Sequence, residues 1–225
     1  MRPFAYERPT RLGDAVAMLA ELGPDGRPLS GGTDLIIRLR DGSIRPRVVV
    51  DVKGIAELDD AIREDGGRLV IGALATMTDI AAHPRIRRDF TSLADAAAVV
   101  GAVQIRNRAT LPGNVCNASP AADTTPSLLV HQATVVVAGT DGSRRIPIDD
   151  VLVRSGVTTI ARGELVTAIE LPLPGAARRG SVHVRRTRRR GHDLASVTLA
   201  CAILPDGTTR IAFGSVGPRP FLVTD

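Results

Sequence analysis

Aromatic residues are almost missing from this chain: it has no Trp, one Tyr and four Phe in 225 residues. Proteins that hold single-stranded nucleic acid stack bases on aromatic faces, and this chain can hardly build such a platform. Cysteine is nearly as scarce. Cys116 and Cys201 are too few and too far apart for an iron–sulfur cluster, which takes about four thiolates. They form no CxxC zinc pair, and both read as structural thiols. No apolar run approaches the ~18 residues of a membrane span, and the start, MRPFAYERPTRLGD, has no secretory signal. The expectation is a cytoplasmic protein without a membrane span. There is no GK[ST] and no GxGxxG, which excludes a P-loop and a Rossmann fingerprint. His83, His131, His183 and His192 are scattered without metal spacing and read as surface or packing residues. No Ser-His-Asp order or carboxylate pair presents itself, so no catalytic acid, base or nucleophile and no metal site is expected.

What is present describes a folded protein: 44% hydrophobic residues with charge of both signs, enough for one large domain or two modest ones. The net charge of +5 comes mostly from arginine and fits nucleic acid, an acidic partner or an anionic cofactor equally well. Periodicity and punctuation predict a helix over 10–22, a short strand over 27–29, a helix over 34–40 and a buried strand over 48–52. A strand over 68–73 leads to a helix that Thr78 or Asp79 could cap. A small-residue helix over 92–103 precedes a polar stretch, 104–126, with no clear period, which reads as a functional loop. A short helix over 126–131 and strands over 133–138 and 165–171 follow. The segment 173–176, Leu-Pro-Gly-Ala, is the candidate domain boundary. Strand-like alternations at 181–186, 195–204 and 209–216 come after it, with a hairpin signal, PDG, at 205–207.

Chemistry concentrates in two loops. In SGGTDL, Gly31 and Gly32 allow positive φ and close approach, so successive amides could converge on an anion, with the hydroxyls of Ser30 and Thr33 as further donors. Asp34 fits as the cap of the next helix, with Arg38 one turn on as its ion partner. That helix would then aim its positive end at a bound phosphate. An ordinary glycine turn followed by a helix cap explains the same residues. The second loop places Asn107, Asn114 and Asn117 around Gly113. Two donor-rich loops suit a long ligand with a diphosphate between two ring systems.

Five stretches then carry a resemblance: LSGGTDL at 29–35, IGALATMTDI at 71–80, VQIRNRATLPGNVCNASPAADTTPSLL at 103–129, GELVTAIELP at 163–172 and RRTRRRGHDLASV at 185–197. In this order, and over essentially the whole chain, the sequence resembles the FAD-binding medium subunit of the molybdenum hydroxylases, the family of carbon monoxide dehydrogenase and xanthine dehydrogenase. The resemblance implies an α+β fold. A two-lobed FAD-binding domain of the vanillyl-alcohol-oxidase (PCMH) type would span 1–174, with lobes of about 1–54 and 55–174. An incomplete α+β C-terminal domain with an antiparallel sheet would span 175–225. Carried over residue by residue, Leu29, Ser30, Gly31, Gly32, Thr33, Asp34 and Leu35 make the first cofactor loop, and Thr110, Leu111, Gly113 and Asn114 the second. Thr76, Ile105, Asn117 and Ser119 join them. Asp123 is implied on the ribose–adenine side, Leu165 or Val166 at the adenine or its ribose through backbone groups, and Arg186 near the isoalloxazine ring.

Two departures from the family pattern bear on this. Pro112 stands where the family usually has a glycine, which removes one amide donor and implies weaker or differently aligned FAD binding. Family members usually continue further, which implies a last domain without its final helices. The seven arginines between 178 and 190 read in three ways: a solvated strand face, flavin and partner-subunit contacts, or nucleic acid. The function implied is an electron-transferring flavoprotein subunit. Its FAD takes electrons from iron–sulfur clusters of a small partner subunit, in a hetero-oligomer whose large subunit holds molybdopterin, and passes them to an external acceptor. The alternatives are a flavin-free shortened subunit acting as an assembly piece and a basic nucleic-acid binder.

Overall fold

The computed structural model describes residues 2–174, 180–189, 193–204 and 206–223. Gly175 and Ala176 of the candidate boundary, together with Arg178, Arg179, Arg190 and His192, lie outside the described residues.

The first lobe is a small parallel sheet. Strands β1 (Ala5–Glu7), β2 (Gly26–Leu29) and β3 (Val48–Asp51) pair in the order β1-β3-β2, with helix α1 (Leu12–Leu22) and the short α2 (Leu35–Arg40) as the crossovers. Helix α1 buries Ala15, Val16 and Leu19, which fall on one helical face, against Val50 of β3 and the nearby Val52. Gly23 closes it at φ 50°, a conformation glycine adopts without strain. Ala73 and Leu165, both from the second lobe, complete this core.

The second lobe surrounds an antiparallel sheet in the order β4 (Ile62–Asp65), β5 (Arg68–Gly72), β10, β6, β7. Between β5 and β6 the chain runs through α3 (Met77–Ala82), α4 (Pro84–Asp89), α5 (Thr91–Ala98), α6 (Val103–Arg106), α7 (Leu111–Asn117) and α8 (Thr124–Val130). Strands β6 (Thr134–Gly139) and β7 (Gly142–Pro147) form a hairpin. Helix α9 (Ile148–Val151) and the ribbon β8 (Leu152–Arg154) and β9 (Val157–Thr158) then lead to β10 (Leu165–Pro172) in mid-sheet. Leu69, Ile71, Val135, Val137, Ile169 and Leu171 alternate into one core with Met77, Phe90, Leu93 and Leu128 from the helices.

Strands β11 (Ser181–Thr187), β12 (Ala195–Ile203), β13 (Thr209–Gly214) and β14 (Phe221–Leu222) form a separate antiparallel sheet in chain order. Among the described residues it has no core of its own. Its inner face lies on α5 and α8, and Ala200, Ala202 and Ala212 join the apolar core of the second lobe. Its outer face carries Val182 and Val184 opposite Cys201 and Leu199, with Ile211, Phe213 and Phe221 beyond, and Val182 and Val184 are exposed.

Three local expectations are corrected. Thr76, not Thr78 or Asp79, caps α3: Asp79 N donates to Thr76 Oγ1 (3.3 Å) and Thr76 N to Asp79 Oδ2 (3.0 Å), a reciprocal capping box. The stretch 104–126 is mostly helical, because α6, α7 and α8 are too short to show a period. Asp34 stands before α2, yet its side chain makes no capping hydrogen bond and no ion pair with Arg38.

Candidate functional site

The two loops singled out in the sequence meet in space. Ser30 Oγ and Thr110 Oγ1 are 3.2 Å apart, Met77 N donates to Ala109 O (2.8 Å), and Thr76 and Thr110 form an isolated bridge. A Cβ on Gly31 would lie 2.1 Å from the Arg108 carbonyl oxygen, so the first loop can seat against the second only with glycine there. Gly32 is needed for its φ of +78°. Both glycines therefore answer to the backbone before any ligand is considered.

What this leaves open is a row of donors. The amides of Gly31, Gly32, Thr33 and Asp34 make no hydrogen bond within the described residues. Consecutive amides without protein partners are free to take an anion, since backbone N–H groups otherwise seek partners. With only six residues, α2 adds little dipole. The second loop differs from the first. Leu111 N donates to Ala75 O (3.2 Å), Gly113 N to Thr110 Oγ1 (3.2 Å) and Asn114 N to Thr110 O (3.0 Å). Pro112 sits in the first turn of α7, where its missing N–H breaks no helical bond. The second wall thus presents side chains. Asn114 Oδ1 accepts from Thr124 Oγ1 (2.7 Å), which leaves the Asn114 amide nitrogen without a partner among the described residues.

These walls line one cleft of about 810 Å³ between the lobes, near the top of the range of about 300–1,000 Å³ for small-molecule sites. Ser30, Gly31, Gly32, Thr33, Asp34 and Leu35 line it, as do Ile105, Thr110, Gly113, Asn114, Asn117, Ser119, Asp123, Leu165 and Val166. Four residues named from the sequence do not. The Leu29 side chain lies behind Gly32, where an added Cβ would meet it at 2.7 Å. Thr76 is spent on the α3 cap, and Leu111 is fully buried in the core. Arg186 is on the outer face of β11.

Strand parity decides the last of these. Side chains alternate along a strand, and Ser181, whose Oγ accepts from Ser92 N (3.0 Å), fixes which face of β11 is inward. His183 and Arg185 share that face. Arg185 lines the cleft, and its Nη1 donates to Asp123 Oδ2 (3.0 Å) and to Val99 O (2.9 Å). Asp123 is therefore bonded to the C-terminal sheet, while Leu165 packs into the first-lobe core. His183 Nε2 lies 3.6 Å from Asp123 Oδ1, and neither atom has a hydrogen-bond partner among the described residues.

Sequence reasoning missed the cationic lining: Arg27, Arg38, Arg162 and Arg185 all face the cleft. The signal available was the period of two along 181–187 for Arg185. Nothing local marks the other three. Desolvation by the cleft walls raises the Asp34 carboxyl above its ordinary value, with Arg38 pulling it back. Cys116 opens onto the cleft, yet protein crowds its thiol, and desolvation pushes it up to about 12. It stays a neutral thiol. The cleft can hold an elongated, polar, anionic molecule along its walls, and it carries no nucleophile poised for covalent chemistry.

Comparison with known proteins agrees with this geometry. Residues 2–174 match the family described as the FAD-binding domain in molybdopterin dehydrogenase. The xanthine dehydrogenase FAD-binding subunit of Escherichia coli O157:H7 is 32% identical over 96% of this chain and 75% of its own length. The carbon monoxide dehydrogenase medium chain of Hydrogenophaga pseudoflava is 30% identical over the same shares. A solved carbon monoxide dehydrogenase chain from that organism superposes with a TM-score of 0.92 at 30% identity, over 99% of this chain and 78% of that one. The four open amides and the cleft's size fit FAD, and the chain belongs to the family of FAD-binding domains of the molybdopterin dehydrogenases.

Proposed function

We propose that this chain is the flavoprotein subunit of a molybdenum hydroxylase complex, in which it links iron–sulfur clusters on a small partner subunit to an external electron acceptor, while a large subunit oxidises substrate at molybdopterin. The observation that carries the reading is the open amide row at 31–34, facing Thr110 and Asn114 across one cleft. Bound FAD supplies the two-electron redox chemistry. The chain's own residues bind and orient. The amides at 31–34 take a phosphate oxygen, and Asn114 offers its free amide nitrogen from the opposite wall. Leu165 and Val166, whose side chains belong to the two cores, offer backbone groups to the ligand at the start of β10. Arg185, fixed by Asp123 and the Val99 carbonyl, holds a permanent positive charge at the C-terminal-sheet side of the cleft, where it favours an anionic ligand.

The test is flavin retention. Protein purified in the presence of FAD should carry the cofactor stoichiometrically, and from its native host it should co-purify with two further chains, one containing iron–sulfur clusters. Colourless protein that gains no thermal stability from added FAD would sink the reading. The committed amides of the second loop and the donor lost at Pro112 favour one other reading, a flavin-free assembly piece. Co-purification with partners but without flavin would select it.

A further inference from the structure

The imidazole of His183 stands on the inner face of β11, its side chain only 3% exposed, and it does not line the cleft. Both ring nitrogens are buried, and neither has a hydrogen-bond partner among the described residues. Buried polar side chains are nearly always bonded, so ordinary packing does not account for a histidine here. What it faces is Asp123. Oδ1 of that carboxylate lies 3.6 Å from His183 Nε2 and is itself unpartnered, while Oδ2 accepts from Arg185 Nη1 (3.0 Å). One carboxylate thus stands between two basic side chains, and both it and Arg185 line the cleft.

Few other charges come near the imidazole. Strands β12 and β13 place Ala200 and Ala212 in its row of the sheet. Helix α5, packed against β11, buries Ser92, Leu93, Ala96 and Ala97, and its Asp95 is exposed. Helix α8 has no charged residue, and His131 at its end is bonded to Ser92 Oγ (3.0 Å) and kept neutral by burial, which lowers its pKa to about 4. On β11 the neighbouring inward residues are Ser181 and Arg185. Asp123 and Arg185 therefore decide what a proton on His183 does. With the ring neutral, the carboxylate balances the guanidinium. An imidazolium gains a second N–H donor and a full charge, and the acceptor it faces is Asp123 Oδ1. One negative charge then answers two positive ones.

We propose that His183 is a positioning residue of the cleft that acts through Asp123: its protonation draws the carboxylate towards Nε2, leaves the Arg185 charge less compensated at the cleft wall, and so strengthens binding of an anionic ligand as pH falls. The identity of that ligand rests on the flavin reading above. Imidazole suits the role because it changes charge between pH 5 and 8. The coupling is reciprocal, so a bound anion must make His183 easier to protonate by the same factor.

The experiment titrates the flavin-free chain with FAD and with ADP-ribose at pH values from 8 to 5, for wild type and His183→Gln, which is neutral throughout. Both ligands carry a diphosphate whose charge is constant over this range. Wild-type affinity should rise about 5- to 50-fold as pH falls, and His183→Gln should lose most of that rise. Asp34, on the other wall and raised by burial, contributes equally to both proteins, so their difference isolates His183. A second measurement needs no variant: the NMR titration of the His183 ring in wild type should move to higher pH when ligand is bound. Equal pH profiles for the two proteins, or a His183 titration that ligand leaves in place, overturn the coupling and leave the flavin reading standing. Wild type that binds ADP-ribose with the full rise but no FAD keeps the coupling and removes the flavin reading. Wild type that binds neither overturns both.

Discussion

The imidazole of His131 stands edge-on to the Phe90 ring, with centroids 5.0 Å apart, and its Nε2 lies 3.0 Å from Ser92 Oγ. Burial lowers its pKa from 6.5 to about 4. The sign follows directly. Between pH 6.5 and 4 the unfolded chain binds a proton that the folded chain refuses, so stability falls as pH drops through that window. The full effect is on the order of 3 kcal/mol. The Asp51 and Glu164 carboxyls lie below their ordinary values and lose their contribution only at still lower pH, whereas Asp34, raised, works weakly in the opposite sense. Urea unfolding across this range should show a steep decline for wild type and a much flatter one for His131→Gln. Identical slopes would show that His131 is not the group responsible. The sequence showed His131 only as a packing residue. Its depressed pKa depends on Phe90 and Ser92, some forty positions away.

At the scale of elements, legibility follows locality. Helix α1 and strands β3, β5, β6 and β10 announced themselves because their apolar periods are local. The helices inside 104–126 did not, since a turn or two carries no period. In β11 the residue implied at the cofactor, Arg186, lies one position from the one that lines the cleft, Arg185, and in a strand one position inverts the side. Val182 and Val184 look like core residues, but the inward positions go to Ser181, His183 and Arg185, whose partners lie far along the chain. Pro112 is a similar case. Beside a presumed glycine-rich loop it reads as damage, but in the first turn of α7 it is a favourable residue whose ring limits the unfolded chain. Pro112→Gly should therefore destabilise the protein, by about 1 kcal/mol from chain entropy and more from the lost burial. Chemical denaturation would register this, and an unchanged or higher midpoint would count against this account of α7. Thr76→Ala removes the α3 cap and should cost about 1 kcal/mol. Thr76→Ser, which keeps the hydroxyl, should restore most of it.

Across the whole molecule the cleft is the seam between unequal parts. The first lobe rests on a three-stranded parallel sheet and a small core that needs Ala73 and Leu165 from its neighbour to close. The second lobe has a five-stranded sheet, most of the helices and the inner face of the C-terminal sheet in one continuous core. Opening free energies follow such differences in buried apolar contact. Without ligand, amide hydrogens of β1–β3 should exchange faster than those of β5, β10 and β6. In the proposed reading FAD bridges both walls, and a ligand that binds only the closed arrangement stabilises it by about 2.7 kcal/mol at a hundredfold excess over Kd. The weaker part has the most to gain, because its opening is the one that breaks the site. Saturating FAD should therefore slow exchange in β1–β3 by a larger factor than in β5, β10 and β6. Equal slowing in both lobes would mean that they open together, and the cleft would then be a feature of one cooperative unit.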